Sequence, residues 1–315
     1  MIPPLATTDF LVLLAAIPLA ALGGEAFLRG VLGIAAWLRL PKLLVATTLA
    51  AFATSSPELT VSSIAALAGK PEIGLGDALG SNVVNIGLIL GVALLFGALA
   101  AHFAEIKRDF LLALGVPVFI LVLALDGTLS RADGALLLAL FALWLALVVR
   151  QAIQHRREIP THEALMGTSV QPIRAWLFLI AGLASLILAG RLFVTGASGI
   201  AEALNINAYV IGVTVVAIGT SLPELVTMLL ARWRGHDDVG LGTLLGSNLF
   251  NGLAIVGIAA AIHPIRAPSS EVAVALGFGV LTVLLMLPRA GVISRRRGLA
   301  LLAAYAAFIT TTLSF

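Results

Sequence analysis

Thr54-Ser55-Ser56-Pro57-Glu58-Leu59 is written again, with one change, as Thr220-Ser221-Leu222-Pro223-Glu224-Leu225, and the two copies lie 166 residues apart. The correspondence runs outward from them. Downstream, Gly80, Ser81, Asn82 and Asn85 match Gly246, Ser247, Asn248 and Asn251; upstream, Gly24, Phe27, Gly30, Gly33 and Ile34 match Gly190, Phe193, Gly196, Gly199 and Ile200. Residues 22–91 align on 188–257 without a gap, and more than a third of the positions are identical, well beyond what a shared apolar composition produces.

Both copies are embedded in apolar sequence. Of the 315 residues 60% are hydrophobic and only 11% charged, and the mean hydropathy is +1.09; soluble domains carry about a quarter charged residues. The chain therefore reads as an all-α polytopic membrane protein. Ten apolar spans are expected, centred roughly on residues 20, 55, 87, 117, 141, 187, 220, 250, 279 and 305, each near the ~20 residues that a helix needs to cross a bilayer. Five spans per copy is an odd number, so the second copy enters the membrane from the opposite side. The expected fold is thus ten transmembrane helices arranged as two inverted-topology five-helix repeats. The first occupies residues 1–152 (motif about 45–91), a solvated, cytoplasmic connecting loop 153–172, and the second 173–315 (motif about 211–257). Secondary transporters use this plan, with a site near the midplane where the repeats meet and helices are interrupted.

Charge placement supplies topology. Fourteen of the 19 Lys and Arg residues fall in alternate connections, among them Arg39 and Lys42, Lys107 and Arg108, Arg232 and Arg234, and Arg295, Arg296 and Arg297. The other connections hold Lys70, Arg131 and Arg266. The positive-inside rule then puts both termini outside the cytoplasm, in a multi-pass protein of the cell membrane. The basic pI of about 9.8 is accordingly a topology signal, and nucleic acid is not an expected partner. No basic residue precedes Arg29, so the first span reads as part of the mature chain rather than a cleaved leader. Trp37, Trp144, Trp176 and Trp233 sit near expected span ends, as an interfacial belt requires. Absence of cysteine excludes disulfides and thiolate metal sites.

The duplicated motif carries the chemistry. Pro57 and Pro223 fall inside spans, where proline removes a backbone hydrogen bond and frees the carbonyl four residues earlier, at Ala53 and Gly219. A carboxylate at a helix centre costs about 2.5–3.5 kcal/mol to insert, and Glu58 and Glu224 incur that twice. No Lys or Arg lies near either motif; Arg29 pairs more naturally with Glu25, one turn away. The partners of the two glutamates are therefore exchangeable cations or protons. Thr54, Ser55, Thr220 and Ser221 add hydroxyls, and Ser81 with Asn85 and Ser247 with Asn251 share helix faces at i, i+4 spacing. Every candidate ligand is an oxygen donor, which suits calcium or sodium rather than zinc or copper. The five histidines, His102, His155, His162, His236 and His263, all belong to connections. Gly30 and Gly33, matched by Gly196 and Gly199, permit close helix approach. Asp77 has no acidic counterpart, because position 243 is Thr; at the start of the third span it reads as a helix cap in preference to a group that admits cations.

At these residues the chain resembles the calcium/cation antiporter superfamily, and within it the prokaryotic-type sodium/calcium exchangers, whose two repeats carry the Thr-Ser-x-Pro-Glu-Leu and Gly-Ser-Asn patterns. The resemblance implies electrogenic exchange of Na+ for Ca2+ by alternating access, with spans 1 and 6 moving against a core that holds the ions. It implies that Glu58, Glu224, Thr54 and Thr220 bind calcium, and that Ser55, Ser221, Ser81, Ser247, Asn85 and the carbonyls of Ala51 and Ala217 complete sodium coordination. Two departures stand out: Ala53 replaces the usual glycine, and Asn251 occupies a position that is Asp in potassium-dependent and some microbial members. Asn251 stays within the cation-binding set as an uncharged oxygen donor. No cofactor is expected beyond the transported ions.

Other functions compete on the same residues. A buried carboxylate also carries protons, so proton/calcium antiport is the principal alternative; a cation channel is a third. An enzyme is not expected, since no nucleophile, base and metal constellation is present.

Overall fold

A computed structural model describes residues 4–158, 171–203, 217–267 and 269–313. It is a helical bundle: α1 (Pro4–Leu38), α2 (Lys42–Thr54), α3 (Ser56–Leu67), α4 (Pro71–Leu95), α5 (Phe103–Leu123), α6 (Arg131–Glu158), α7 (Pro172–Ala203), α8 (Ala217–Thr220), α9 (Leu222–Trp233), α10 (Asp237–Ile262), α11 (Ser269–Leu285) and α12 (Arg295–Thr312). Six of these helical stretches are long and apolar enough to cross a membrane. The outer face of the bundle is apolar, with Leu22, Leu67 and Ile173 each more than 70% exposed, a surface that lipid stabilises and water does not.

Two helices form the centre. The apolar windows of α4 and α10 are 78% and 83% buried, against 22–39% for α1, α5, α6 and α7. Both are unusually rich in glycine where they meet neighbours. A Cβ on Gly246 would touch the Thr47 carbonyl and lie 2.6 Å from the Ala51 Cβ, so glycine there brings the backbone of α10 onto α2. Phe250 of α10 is clasped by Phe52, Phe141 and Trp144, with ring centroids 5.4, 4.8 and 6.0 Å away. Trp144 is therefore not an interfacial residue: it is 2% exposed and its Nε1 donates to Asp109 Oδ1 at 3.0 Å. Trp37, Trp176 and Trp233 are at least partly exposed. Helix α6 continues to Glu158, inside the stretch expected to be a loop, while residues 159–170 of that connection lie outside the described residues.

Helices α1 and α7 pack together along their lengths. Gly30 abuts Leu179 and Gly182 abuts Phe27, while Gly196 lies against Leu13 and Gly199 against Asp9. In these pairs one residue number rises as the other falls, so the helices run antiparallel. Leu13 and Leu179 are also 166 residues apart, as are Ser185 and Leu19, which share a hydrogen bond of 3.0 Å. The contact maps onto itself when the two repeats are exchanged. Two small antiparallel pairings do the same at the bundle ends: Leu99–Ala100 with Val292–Ile293, and Thr128–Leu129 with Ile265–Arg266.

Glycine is required along this seam because a side chain would strike backbone. Gly30→Ala is expected to destabilise the purified protein by about 1–3 kcal/mol through overpacking. Gly277→Ala, at an exposed position of α11 with open space beside it, should leave the unfolding midpoint in detergent unchanged. Equal midpoints for the two variants would contradict this packing.

Candidate functional site

The motif interrupts its helix in both copies, at the same residue. Helix α2 stops at Thr54, Ser55 adopts φ −82°, ψ 6°, and α3 resumes at Ser56; α8 stops at Thr220, Ser221 adopts φ −86°, ψ 13°, and α9 resumes at Leu222. Proline in the first turn makes this restart favourable, since its missing N–H would have had no intrahelical partner there. Glu58 and Glu224 consequently occupy the first turns of helices, where unpaired N–H groups provide partial positive charge. The freed carbonyls differ between copies. Ser56 Oγ donates to the Ala53 carbonyl at 2.7 Å, so that group is satisfied after all; position 222 is Leu, and the Gly219 carbonyl faces Gly190 of α7.

The two glutamates are each 1% exposed, and their carboxylates lie close enough to repel one another. Ser247 Oγ donates to Glu224 Oε1 at 3.3 Å and lies 3.4 Å from Thr54 Oγ1; the hydroxyls of Thr54 and Ser55 also face the Glu224 carboxylate. Residues from both motif copies thus surround one carboxylate. Ser55, Ser221, Ser81, Asn85 and Asn251 are buried with them. Thr220 is half-buried in the wall of a cleft of about 510 Å³ that also touches Pro57, Arg191, Gly219 and Pro223. The Ala51 carbonyl accepts the Ser55 N–H at 2.9 Å and Thr54 Oγ1 at 3.3 Å. Ala217 begins α8 beside the interruption.

Three features of the site escape a reading of residue types. Asn85 and Asn251 lie in π-helical segments, Val84–Leu90 and Phe250–Ile255, whose wider turns shift the side chains carried by α4 and α10; such segments favour functional positions. Asn82 and Asn248 bond reciprocally across the two repeats, each Nδ2 donating to the other's backbone carbonyl at 3.3 and 3.2 Å. Asn248 Oδ1 in turn accepts Asn85 Nδ2 at 3.0 Å. The two asparagines were visible within the duplicated Gly-Ser-Asn pattern, but only their position at the crossing of α4 and α10 reveals that they join the repeats. Thr227, one turn beyond Glu224, is the third addition.

Buried polar groups are normally hydrogen-bonded. Among the described residues ten buried side-chain atoms lack a partner, and they belong to Ser55, Glu58, Asp77, Asn82, Asn85, Ser221, Glu224, Thr227 and Asn251. All nine residues lie in or next to the duplicated motifs, and nine of the ten atoms are oxygens. Asn85 and Asn251 differ here. Asn85 has its amide anchored and one oxygen unpartnered, whereas neither side-chain atom of Asn251 has a partner. Unpartnered oxygens gathered round two carboxylates match the demand of hard cations, calcium taking about six to eight oxygen ligands.

Comparison with known proteins agrees with this geometry. Residues 8–150 and 174–314 match the family model described as sodium/calcium exchanger protein. The chain belongs to the sodium/calcium exchanger family. It is 36% identical over 243 residues to CaxA of Alkalimonas amylolytica, covering 76% of each chain, and 27% identical over 348 residues to the sodium/calcium exchanger MaX1 of Methanosarcina acetivorans, covering 96% of this chain and 98% of that one. Its fold superposes on the sodium-calcium exchanger NCX_Mj with a TM-score of 0.80 and 29% identity, over 98% of this chain and 99% of the other. Such exchangers are membrane antiporters of cations. Their substrates are Na+ and Ca2+.

The crossing asparagines separate packing from ion binding. Asn248→Ala removes the bond that its Nδ2 donates to the Asn82 carbonyl and the bond that its Oδ1 accepts from Asn85, and leaves buried groups without partners, so a loss of about 2 kcal/mol of stability is expected. A thermal midpoint in detergent equal to that of the wild type would contradict the anchoring role.

Proposed function

We propose that this chain exchanges Na+ for Ca2+ across the cell membrane by alternating access, and that the oxygens gathered round Glu58 and Glu224 are the ion ligands. The observation that carries the reading is the concentration of unpartnered buried oxygens at this one place, in an apolar bundle where each would otherwise be destabilising. In this account calcium lies between Glu58 and Glu224 with Thr54 and Thr220. Sodium uses the same carboxylates one at a time, with Ser55, Ser221, Ser81, Ser247, Asn85, Asn251 and the carbonyls of Ala51 and Ala217. Two carboxylates neutralise one calcium ion, and the resulting uncharged site suits a low-dielectric interior.

The two five-helix halves, 1–152 and 173–315, act in this reading as repeats of inverted topology, with both termini extracytoplasmic. The one-sided closure supports alternating access. On one flank Gly24 of α1 lies against Val226 and Leu230, and Glu25 bonds both Arg29 and Arg234, each at 2.8 Å. Position 191, the counterpart of Glu25, is instead an arginine on the open cleft beside Thr220 and Pro223. Relative movement of α1 and α7 against the core would exchange the open and closed flanks.

The test is calcium flux into proteoliposomes under separately imposed gradients. An outward sodium gradient should drive calcium uptake at neutral pH, and Glu58→Gln or Glu224→Gln should abolish it in protein that still folds. Uptake that follows a proton gradient and ignores sodium would replace this reading with proton/calcium antiport; wild-type flux in either glutamine variant would overturn the site itself.

A further inference from the structure

Asp77 is the acid that the repeat does not account for. Its counterpart, Thr243, is buried and donates its hydroxyl to the Val239 carbonyl at 2.9 Å, so the fold meets its local needs at this position without a charge. Asp77 does not cap α4 either. The helix begins at Pro71 after Lys70, and Asp77 is its seventh residue, beyond the first-turn N–H groups that a cap serves. Its Oδ2 is buried and without a hydrogen-bond partner, and among the described residues no Lys or Arg pairs with it.

Its position relates it to the ion site. Asp77, Ser81 and Asn85 follow one another at i, i+4 and i+8 along one stripe of α4, with about 6 Å of rise between neighbours. The hairpin of α3 and α4 fixes the register across the stripe: Ser62 Oγ donates to the Gly74 carbonyl at 3.1 Å, and the missing Cβ of Gly74 lets the two backbones meet there. One turn further along this antiparallel contact, Glu58 of α3 comes level with residues 77 and 78 of α4. The Glu58 and Asp77 carboxylates accordingly repel each other, and Glu58 Oε2, on a residue 1% exposed, is likewise unpartnered. Two like charges facing one another with no base between them require a cation or a proton.

We propose that Asp77 is a third cation-binding carboxylate, which with Glu58 and Ser81 forms a second calcium subsite beside the Glu58–Glu224 site, at the same depth as Glu58. The proposal rests on the reading of the chain as a calcium-transporting antiporter. It also relates two departures from symmetry, since a carboxylate stands at 77 in the first repeat while position 251 of the second is uncharged.

The experiment is equilibrium exchange of radioactive calcium for calcium in proteoliposomes, which requires no knowledge of the counter-ion. Wild type is compared with Asp77→Asn and with Asp77→Thr, the residue that the second repeat already accommodates. Loss of one charged ligand should raise the half-saturating calcium concentration by about tenfold in both variants. An unaltered half-saturation in either variant would overturn the proposal. A wild-type protein that exchanges no calcium would instead refute the functional reading on which it rests.

Discussion

The structure is organised around two carboxylates buried in an apolar bundle with, among the described residues, no basic side chain to neutralise them. Charge in such surroundings is stabilised only by an opposite charge and by directed dipoles. The protein provides dipoles by interrupting two helices, at Ser55 and Ser221, so that Glu58 and Glu224 stand in fresh first turns. It provides hydroxyls from Thr54, Ser55 and Ser247. It provides no cation of its own. A lysine at this centre would make a stable and inert pair; in the proposed reading a mobile ion takes that position, and the same electrostatic need drives transport.

The features that the repeats share and those in which they differ have separate consequences. The shared features build the site: paired interruptions, paired π segments in α4 and α10, and the reciprocal Asn82–Asn248 bonds that join the halves. The differences make its two flanks unlike. Glu25 ties α1 to Arg234, just past the end of α9, while Arg191, at the position equivalent to Glu25, borders an open cleft. Ser56 satisfies the Ala53 carbonyl, while Leu222 leaves Gly219 to its neighbours. Asn85 is anchored and Asn251 is not. A protein with two equivalent faces would have no preferred closed flank; these substitutions distinguish one flank from the other.

Much of this was legible in the sequence because the motif occurs twice. Repetition of Pro-Glu at a fixed offset within apolar runs cannot be ascribed to an ordinary kink, and the oxygen chemistry of Thr54, Ser81, Asn85 and their counterparts followed from residue type alone. What stayed hidden depends on contacts between distant segments. Trp144 looked interfacial by its place near a span end, yet Asp109 and Phe250 hold it in the core. The π segments have no residue signature, since they arise from how α4 and α10 pack. Asp77 looked like a cap because a helix start is uncertain by several residues in apolar sequence, and only the observed start at Pro71 places it a full turn and more inside.

If the unpartnered oxygens are ligands held open for a cation, bound calcium must appear among them. Anomalous diffraction from crystals equilibrated with calcium at low sodium tests it most directly. One strong peak is expected between the Glu58 and Glu224 carboxylates, within ligand distance of Thr54 and Thr220, and high sodium should displace it. A map with no peak there, or with calcium bound only away from the two glutamates, would contradict the ligand role of these oxygens.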